Sequence, residues 1–399
     1  MERKYKRTLY ASYIGYITQA IVNNLAPLMF VLFQQEYALS VAQIGLLVTF
    51  NFTVQILVDF LSAGFVDRIG YKPCIIAAHV FSTLGLVGLS ILPELLPPYA
   101  GLLLSIAIYA IGGGLLEVLV SPIVEALPTQ GKEAHMSLLH SFYCWGHAMV
   151  VVLTTAFFLL AGTSAWRVLP LLWAAVPAAN SLLFACSPVI SISAQQGKTP
   201  MRKLFGSKLF WLFVILMICS GASEQAMSQW SSYFAETGLK VSKTLGDLLG
   251  PCMFAILMGL SRWFYGVKGE KIPLDKFIIC SGCLCIAAYL ITVLSPWPLI
   301  SLVGCGICGL SVGIMWPGVF SLSMKHCPQG GTAMFALLAL AGDVGCASGP
   351  SVVGTVSQLF EGQLKVGLFA AVVFPVVLCL CIWLLQKFVR HKRRERECF

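Results

Sequence analysis

Long apolar runs separated by short polar stretches set the pattern of this chain. Twelve of the runs reach the ~20 residues that a helix needs to cross a bilayer. They predict spans at about 8–34, 42–66, 73–93, 98–127, 136–161, 167–187, 209–235, 244–266, 275–294, 297–324, 331–358 and 364–387. The longest connection, Pro188–Lys208, is polar and basic and falls between the sixth and seventh runs. The pattern predicts an all-α membrane protein of twelve transmembrane helices in two six-helix, pseudo-symmetric bundles. The first bundle would cover 1–194, a linker 195–207, and the second bundle with a basic tail 208–399.

The exceptions inside the runs carry the chemistry. The fourth run, IYAIGGGLLEVLVSPIVEALP (Ile108–Pro128), holds Glu117 near its middle. An ionised carboxylate at that depth costs roughly 3 kcal/mol or more, so such a residue usually faces a water-filled cavity. Gly112–Gly114 beside it let a neighbouring helix approach closely. Other runs hold polar residues three, four or seven apart, on one helical face. Gln19 and Asn23 share a face in the first run, with Asn24 beside them. Asn51, Gln55 and Asp59 form a stripe in the second; His140, Tyr143 and His147 follow in the fifth. Glu224, Gln225, Ser228, Gln229 and Trp230 lie in the seventh, Trp316 in the tenth, and Asp343 between glycines in the eleventh.

Composition and charge narrow the class. The chain is 58% hydrophobic and 11% charged, with mean hydropathy +0.85. Soluble domains carry about 25% charged residues. The net charge of +9 gives no nucleic-acid signal, because Lys and Arg sit between and beyond the apolar runs. With the N-terminus inside, the inner segments hold 22 of the 26 Lys and Arg. The outer side holds 4: Arg167, Lys240, Lys243 and Lys365. The positive-inside rule then places both termini in the cytoplasm. The basic start runs into a segment too long for a signal-peptide core, so no cleaved leader is expected. The 15 cysteines lie mostly inside apolar runs, and predict packing rather than disulfides or metal. No GxxxxGK[ST] loop, zinc spacing or nucleophile–base pair stands out, so neither a nucleotide-driven pump nor an enzyme is expected.

The two halves also echo one another. GLLEVLVSPIVEALP in the fourth run pairs with GLSVGIMWPGVFSLSMKHCP in the tenth, and EYALSVAQIG after the first run with ETGLKVSKTLG after the seventh. Between the second and third runs stands GFVDRIGYKP, Gly64–Pro73. It resembles the D-R-x-G-[RK]-[RK] signature of the major facilitator superfamily at Asp67, Arg68, Gly70 and Lys72, with Tyr71 replacing a basic residue. Within that superfamily the chain resembles the fucose permease group of sugar:proton symporters. The resemblance rests on Val22–Leu47, Gly112–Leu127, HSFYCWGHA (His140–Ala148), SQWSSYF (Ser228–Phe234) and WPGVFSLSMK (Trp316–Lys325). It departs at Pro27, where the group has a carboxylate, and at His140 and Tyr143, where it has amides. Glu224 and Asp343 are extra carboxylates.

The resemblance implies a secondary transporter working by alternating access, with proton-coupled symport of a sugar or similar polar solute. It implies a proton site at Glu117; Glu224 and Asp343, carboxylates inside apolar runs, are further candidates on their own position. Asn23, Asn24, Gln55, His140, Tyr143, Gln225, Gln229, Trp230 and Trp316 are the candidate substrate contacts. Asp59, Asp67, Arg68, Gly70, Lys72 and Arg262 are the candidate gating residues, with Asp59 near the cytoplasmic loop and Arg262 at the inner gate. A proton-coupled exporter of amphipathic compounds is the alternative. An organic-anion transporter is disfavoured because no Lys or Arg is expected at mid-membrane. The expected partners are a small-molecule substrate, a coupling ion (proton or sodium) and the lipid bilayer, with no cofactor, metal or nucleic acid. The expected state is a monomer in a bacterial inner membrane.

Overall fold

A computed structural model describes residues 3–128, 132–190, 205–268, 272–327 and 331–397, apart from the side chains of 3–4, 63–64, 67, 125, 132–137, 266–268, 324, 331–333, 335–336 and 389–397. The described residues form helices, with no strand among them. Twelve helices are long and apolar enough to span a membrane. In the first half these are α1 (Tyr5–Tyr37), α2 (Val41–Ser62), α3 (Tyr71–Leu95), α4 (Pro98–Val124), α5 (Leu138–Ala161) and α6 (Val168–Ala185). In the second they are α7 (Lys208–Gly238), α8 (Lys243–Tyr265), α9 (Leu274–Leu294), α10 (Pro298–Ser323), α11 (Leu337–Leu359) and α12 (Leu364–Phe388). Each predicted span has its counterpart, with ends moved by a few residues. Most of the expected linker, 195–204, lies outside the described residues.

The packing repeats itself. In the first half α1 packs on α4, α5 and α6, α2 on α4, and α3 on α4 and α6. Adding six to each number gives the packing of the second half: α7 on α10, α11 and α12, α8 on α10, and α9 on α10 and α12. Among the described residues three pairs join the halves, α2 with α11, α5 with α8, and α1 with α7; the same relation exchanges the first two and maps the third onto itself. Small residues make the closest approaches, as expected where helices associate without water to drive them together. A Cβ on Gly345 of α11 would stand 2.1 Å from the Ile218 carbonyl of α7, and one on Gly221 of α7 would stand 2.3 Å from the Gly342 carbonyl of α11.

Three helices are interrupted at mid-membrane. The α-helical part of α1 ends at Asn24, and a 3₁₀ turn over Ala26–Met29, built on Pro27, precedes its last segment. The equivalent helix α7 runs from Lys208 to Ser228, turns through Gln229 and Trp230, and ends in a π-helical turn at Phe234–Gly238. In α10 the break falls at Gly313 and Ile314, just before Pro317. Irregular backbone at this depth is tolerated where it lines a cavity or is buried in protein. Repeat-related broken helices mark binding sites in transporters.

The expected turn between the second and third spans is shorter than a loop. The helix that begins α2 continues to Ile69, and the next helix starts at Tyr71. Gly70 alone joins them, at φ 96° and ψ 152°, where a side chain would be strained. Its N–H donates to the Val66 carbonyl at 2.8 Å. Arg68 is exposed and Lys72 half-buried, while the side chain of Asp67 lies outside the described residues.

Candidate functional site

A cavity sits between the two halves at the level of the helix breaks. Tyr16, Gln19 and Asn23 of α1, Phe52 of α2, and Leu116, Glu117 and Val120 of α4 line it with His140 and Tyr143 of α5. The second half adds Glu224 and Gln225 of α7, Arg262 of α8, Trp316 of α10, and Asp343 and Cys346 of α11. The start of α1 and the finish of α12 lie at the same end of the bundle, called here the terminal end. Among the described residues, the hydrogen bonds between the halves lie from mid-depth to the opposite, far end. Gln229 Nε2 donates to the Asn23 carbonyl at 3.1 Å, Thr49 bonds Ser351, and Tyr233 donates to Gln34. Lys243 Nζ donates to the Leu28 carbonyl at 2.7 Å, and Thr155 Oγ1 to Asp247 at 3.4 Å. The far end is therefore closed. His140, near the terminal end of α5, is exposed to the cavity.

Three carboxylates from three helices meet beside the cavity. One oxygen each of Asp59 (α2), Glu117 (α4) and Asp343 (α11) lies within 4.8 Å of the others. Asp59 Oδ1 and Asp343 Oδ2 are buried and make no hydrogen bond among the described residues. Three negative charges so close in a medium of low polarity cannot all persist, so the group needs protons or a cation. Gly114 makes the meeting possible. Its missing side chain lets α2 close on α4, with Asp59 Oδ1 3.0 Å from where a Cβ would stand.

The placement of Asp59 corrects the expectation that it lies near the cytoplasmic loop. The helix of α2 runs on to Ile69, ten residues further, or roughly 15 Å at 1.5 Å per residue. Asp59 thus stays on the inward stripe of Asn51 and Gln55. Arg262 is the gating candidate of α8, three residues before the end of that span. It lines the cavity with 17% of its side chain exposed, and its Nη2 lies 3.6 Å from Glu224 Oε2. Its Nε donates to the Gly313 carbonyl, at the break in α10, at 3.1 Å. A cation does reach mid-depth, contrary to the sequence reading. Glu224 is set apart from the carboxylate group, held by Arg262 and by Gln225 Nε2 at 3.3 Å.

An amide chain links these two centres across the halves. Gln19 Nε2 donates to Glu117 Oε2 at 3.3 Å and to Gln55 Oε1 at 3.2 Å. Gln55 Nε2 donates to Asn23 Oδ1 at 2.8 Å, and Asn51 Nδ2 reaches the same oxygen at 3.2 Å. The Asn23 carbonyl receives Gln229, which also donates to Gln225 Oε1 at 2.9 Å, and Gln225 bonds Glu224. Nearly every amide in the run is spent on another. Burial without partners would cost each of them more than the bonds return.

The predicted substrate contacts therefore divide. Asn23, His140, Tyr143, Gln225 and Trp316 line the cavity. Asn24, Gln55, Gln229 and Trp230 do not. Asn24 is spent on the Ala20 carbonyl at 2.9 Å and on Tyr143 at 3.3 Å. Gln55 and Gln229 are interior members of the amide chain. Trp230 is fully buried, because the break in α7 turns it toward Gly45 and Gly354, where it donates to the Pro350 carbonyl at 3.1 Å. Tyr16, bonded to Ser121 at 3.0 Å and 5.1 Å from the His140 ring, lines the cavity without having been predicted. Its spacing of three and seven from Gln19 and Asn23 was the available signal.

The family model of the Major Facilitator Superfamily matches residues 12–350. The chain belongs to the Major Facilitator Superfamily, a family of membrane transporters rather than enzymes. Its fold is shared by a D-xylose–proton symporter, at 14% identity and TM-score 0.76 over 96% of both chains. A bacterial homologue of the human lysosomal transporter Spinster, inward-facing and occupied, matches at 14% identity and TM-score 0.74 over 97% of this chain and 98% of that one. The fucose:proton symporter of E. coli matches at 17% identity and TM-score 0.66 over 96% and 99%. A search of curated protein sequences gives no significant match.

Proposed function

We propose that this protein is a proton-coupled symporter of a sugar or similar small polar solute, working by alternating access. The observation that carries the reading is the carboxylate group of Asp59, Glu117 and Asp343, drawn from both halves beside one cavity. A proton bound there removes charge that would otherwise hold α11 away from α2 and α4. The carboxylates then meet only in some arrangements of the halves, which supplies the state-dependent affinity that a coupling ion needs. Positive-inside charge puts the terminal end in the cytoplasm, so the arrangement described above is inward-facing. The proton leaves and the solute follows on that side. The D-xylose and fucose symporters sharing the fold are consistent with sugar and proton as a pair. An exporter of amphipathic compounds is the second reading, favoured by Phe52, Leu116 and Val120 on the cavity wall.

The test is the external pH of lightly buffered vesicles as fucose, galactose, glucose and mannose are added in turn. Alkalinisation with one sugar, lost in Glu117→Gln, supports the reading. Full gradient-driven uptake by that variant removes Glu117 from the mechanism, and efflux of an apolar dye from inverted vesicles favours the exporter.

A further inference from the structure

We infer that the solute carries a carboxylate and that Arg262 receives it; the inference deepens the transporter reading above and rests on it. A neutral sugar would be served by the cavity's amides, hydroxyls and Trp316 alone. Arginine in a span is costly and is kept where it has a charge to meet.

The charge it meets within the protein is a loose one. Glu224 Oε2 lies 3.6 Å from Nη2, whereas a close bond between a guanidinium and a carboxylate measures about 2.7–2.9 Å. Glu224 also has a second donor in Gln225, so it keeps a partner if Arg262 turns to another acceptor. The Gly313 carbonyl fixes the Nε side of the fork. The guanidinium plane is thereby oriented while its Nη side meets Glu224, the Met258 sulfur at 3.7 Å and the cavity. A planar, bidentate acceptor is what such a fork selects. The remaining carboxylates are gathered at Asp59, Glu117 and Asp343, where protons offset them in the proposed cycle.

The chemical class is a small hydroxylated carboxylic acid. Its carboxylate lies on Arg262, its hydroxyls on Gln19 and Asn23, and its apolar face on Trp316, all of which line the one cavity.

The test uses the full-length protein with matched pairs, galactose against galacturonate and glucose against glucuronate. Thermal unfolding of purified protein reads binding, and proton uptake into proteoliposomes reads coupling. The expected result is a half-maximal effect of the acid at concentrations about tenfold or more below those of its neutral partner. Arg262→Lys should weaken the acid's effect by about tenfold or more, as much as the acid's advantage in the unaltered protein, because the bidentate partner is lost. It should thereby bring the ratio within each pair close to one.

A neutral sugar that binds as well as its acid in the unaltered protein overturns the inference, and this comparison does not depend on the variant folding. An unchanged ratio in Arg262→Lys overturns it as well, as does silence of both acids in folded protein. Neutral sugars moving protons while the acids do not would sink this inference and keep the symporter. Acids that raise the unfolding midpoint without moving protons would keep it and sink the coupling.

Discussion

Lys243 and Asp247, one turn apart on α8, are 3.0 Å apart and almost wholly buried, and Lys243 also donates across the molecule to the Leu28 carbonyl. Asp247 accepts from Ser232 of α7 and Thr155 of α5, while the lysine lies over the Phe158 ring at 5.2 Å. The charge counted in the sequence as an outer topology marker is thus part of the closure at the far end. Lys243→Met should release that end and shift molecules toward the state open there. Spin labels at Gln34 and Glu361 would report longer distances in the variant. Asp247→Asn should cost stability, roughly 3 kcal/mol, because it leaves the largely buried ammonium without its counter-charge. A thermal stability equal to that of the unaltered protein would contradict this account.

The carboxylate group should show its mutual repulsion directly. Neutralising Asp59 or Asp343 to the amide should stabilise the folded protein by roughly 1 kcal/mol, and both together by less than the sum, since one removal already relieves the crowding. Gradient-driven uptake should fall to the level of protein-free vesicles in each single variant. Thermal midpoints of the single and double variants give the cycle, and strict additivity would mean that the carboxylates do not sense one another.

Gly114 is where space and chemistry meet. Alanine there would put a Cβ 3.0 Å from Asp59 Oδ1, from the Gln55 carbonyl and from Val58 Cβ. Gly114→Ala should impair proton-driven uptake more than Gly113→Ala, whose Cβ would meet side-chain atoms only, Gln55 at 3.1 Å and Val22 at 3.2 Å. Uptake at matched protein levels in the membrane decides this.

A second buried polar cluster, inside the first half, should affect stability alone. His79 is fully buried, with Nδ1 2.7 Å from the Ile75 carbonyl, so Nδ1 carries the hydrogen. Nε2 then accepts from Asn180 Nδ2 at 2.7 Å, and the same amide reaches the Ala11 carbonyl at 3.0 Å. Asn180→Ala should cost roughly 1–3 kcal/mol by leaving both acceptors unmet, with the proton-to-solute ratio unchanged. A changed ratio, measured in proteoliposomes, would assign this cluster to coupling.

The spans were legible in the sequence because apolar length alone decides whether a helix crosses a bilayer. The stripe Asn51–Gln55–Asp59 was legible too, but distance from a loop was a poor guide to depth. Asp59 was assigned to the cytoplasmic end although its two companions pointed inward. Arg262 lies three residues before the end of α8, and its long side chain carries the guanidinium to the cavity wall, which spacing along the chain does not show. Trp230 shows a different limit. Helical spacing put it beside Gln229 on a ligand face, but the chain leaves the α-helix at those two residues and the indole turns away. Periodicity cannot foresee a break that tertiary packing sustains.

The bond from Gln229 to Asn23 ends on a main-chain oxygen rather than on the asparagine side chain. Every residue offers that oxygen. Replacing Asn23 would cut its amide links to Asn51 and Gln55 and leave this tie between the halves intact. A scan of side chains along α1 would then report the contact as silent, and only changes at Gln229 would expose it. Drift at position 23 is therefore free to retune the cavity without loosening the place where the two broken helices meet.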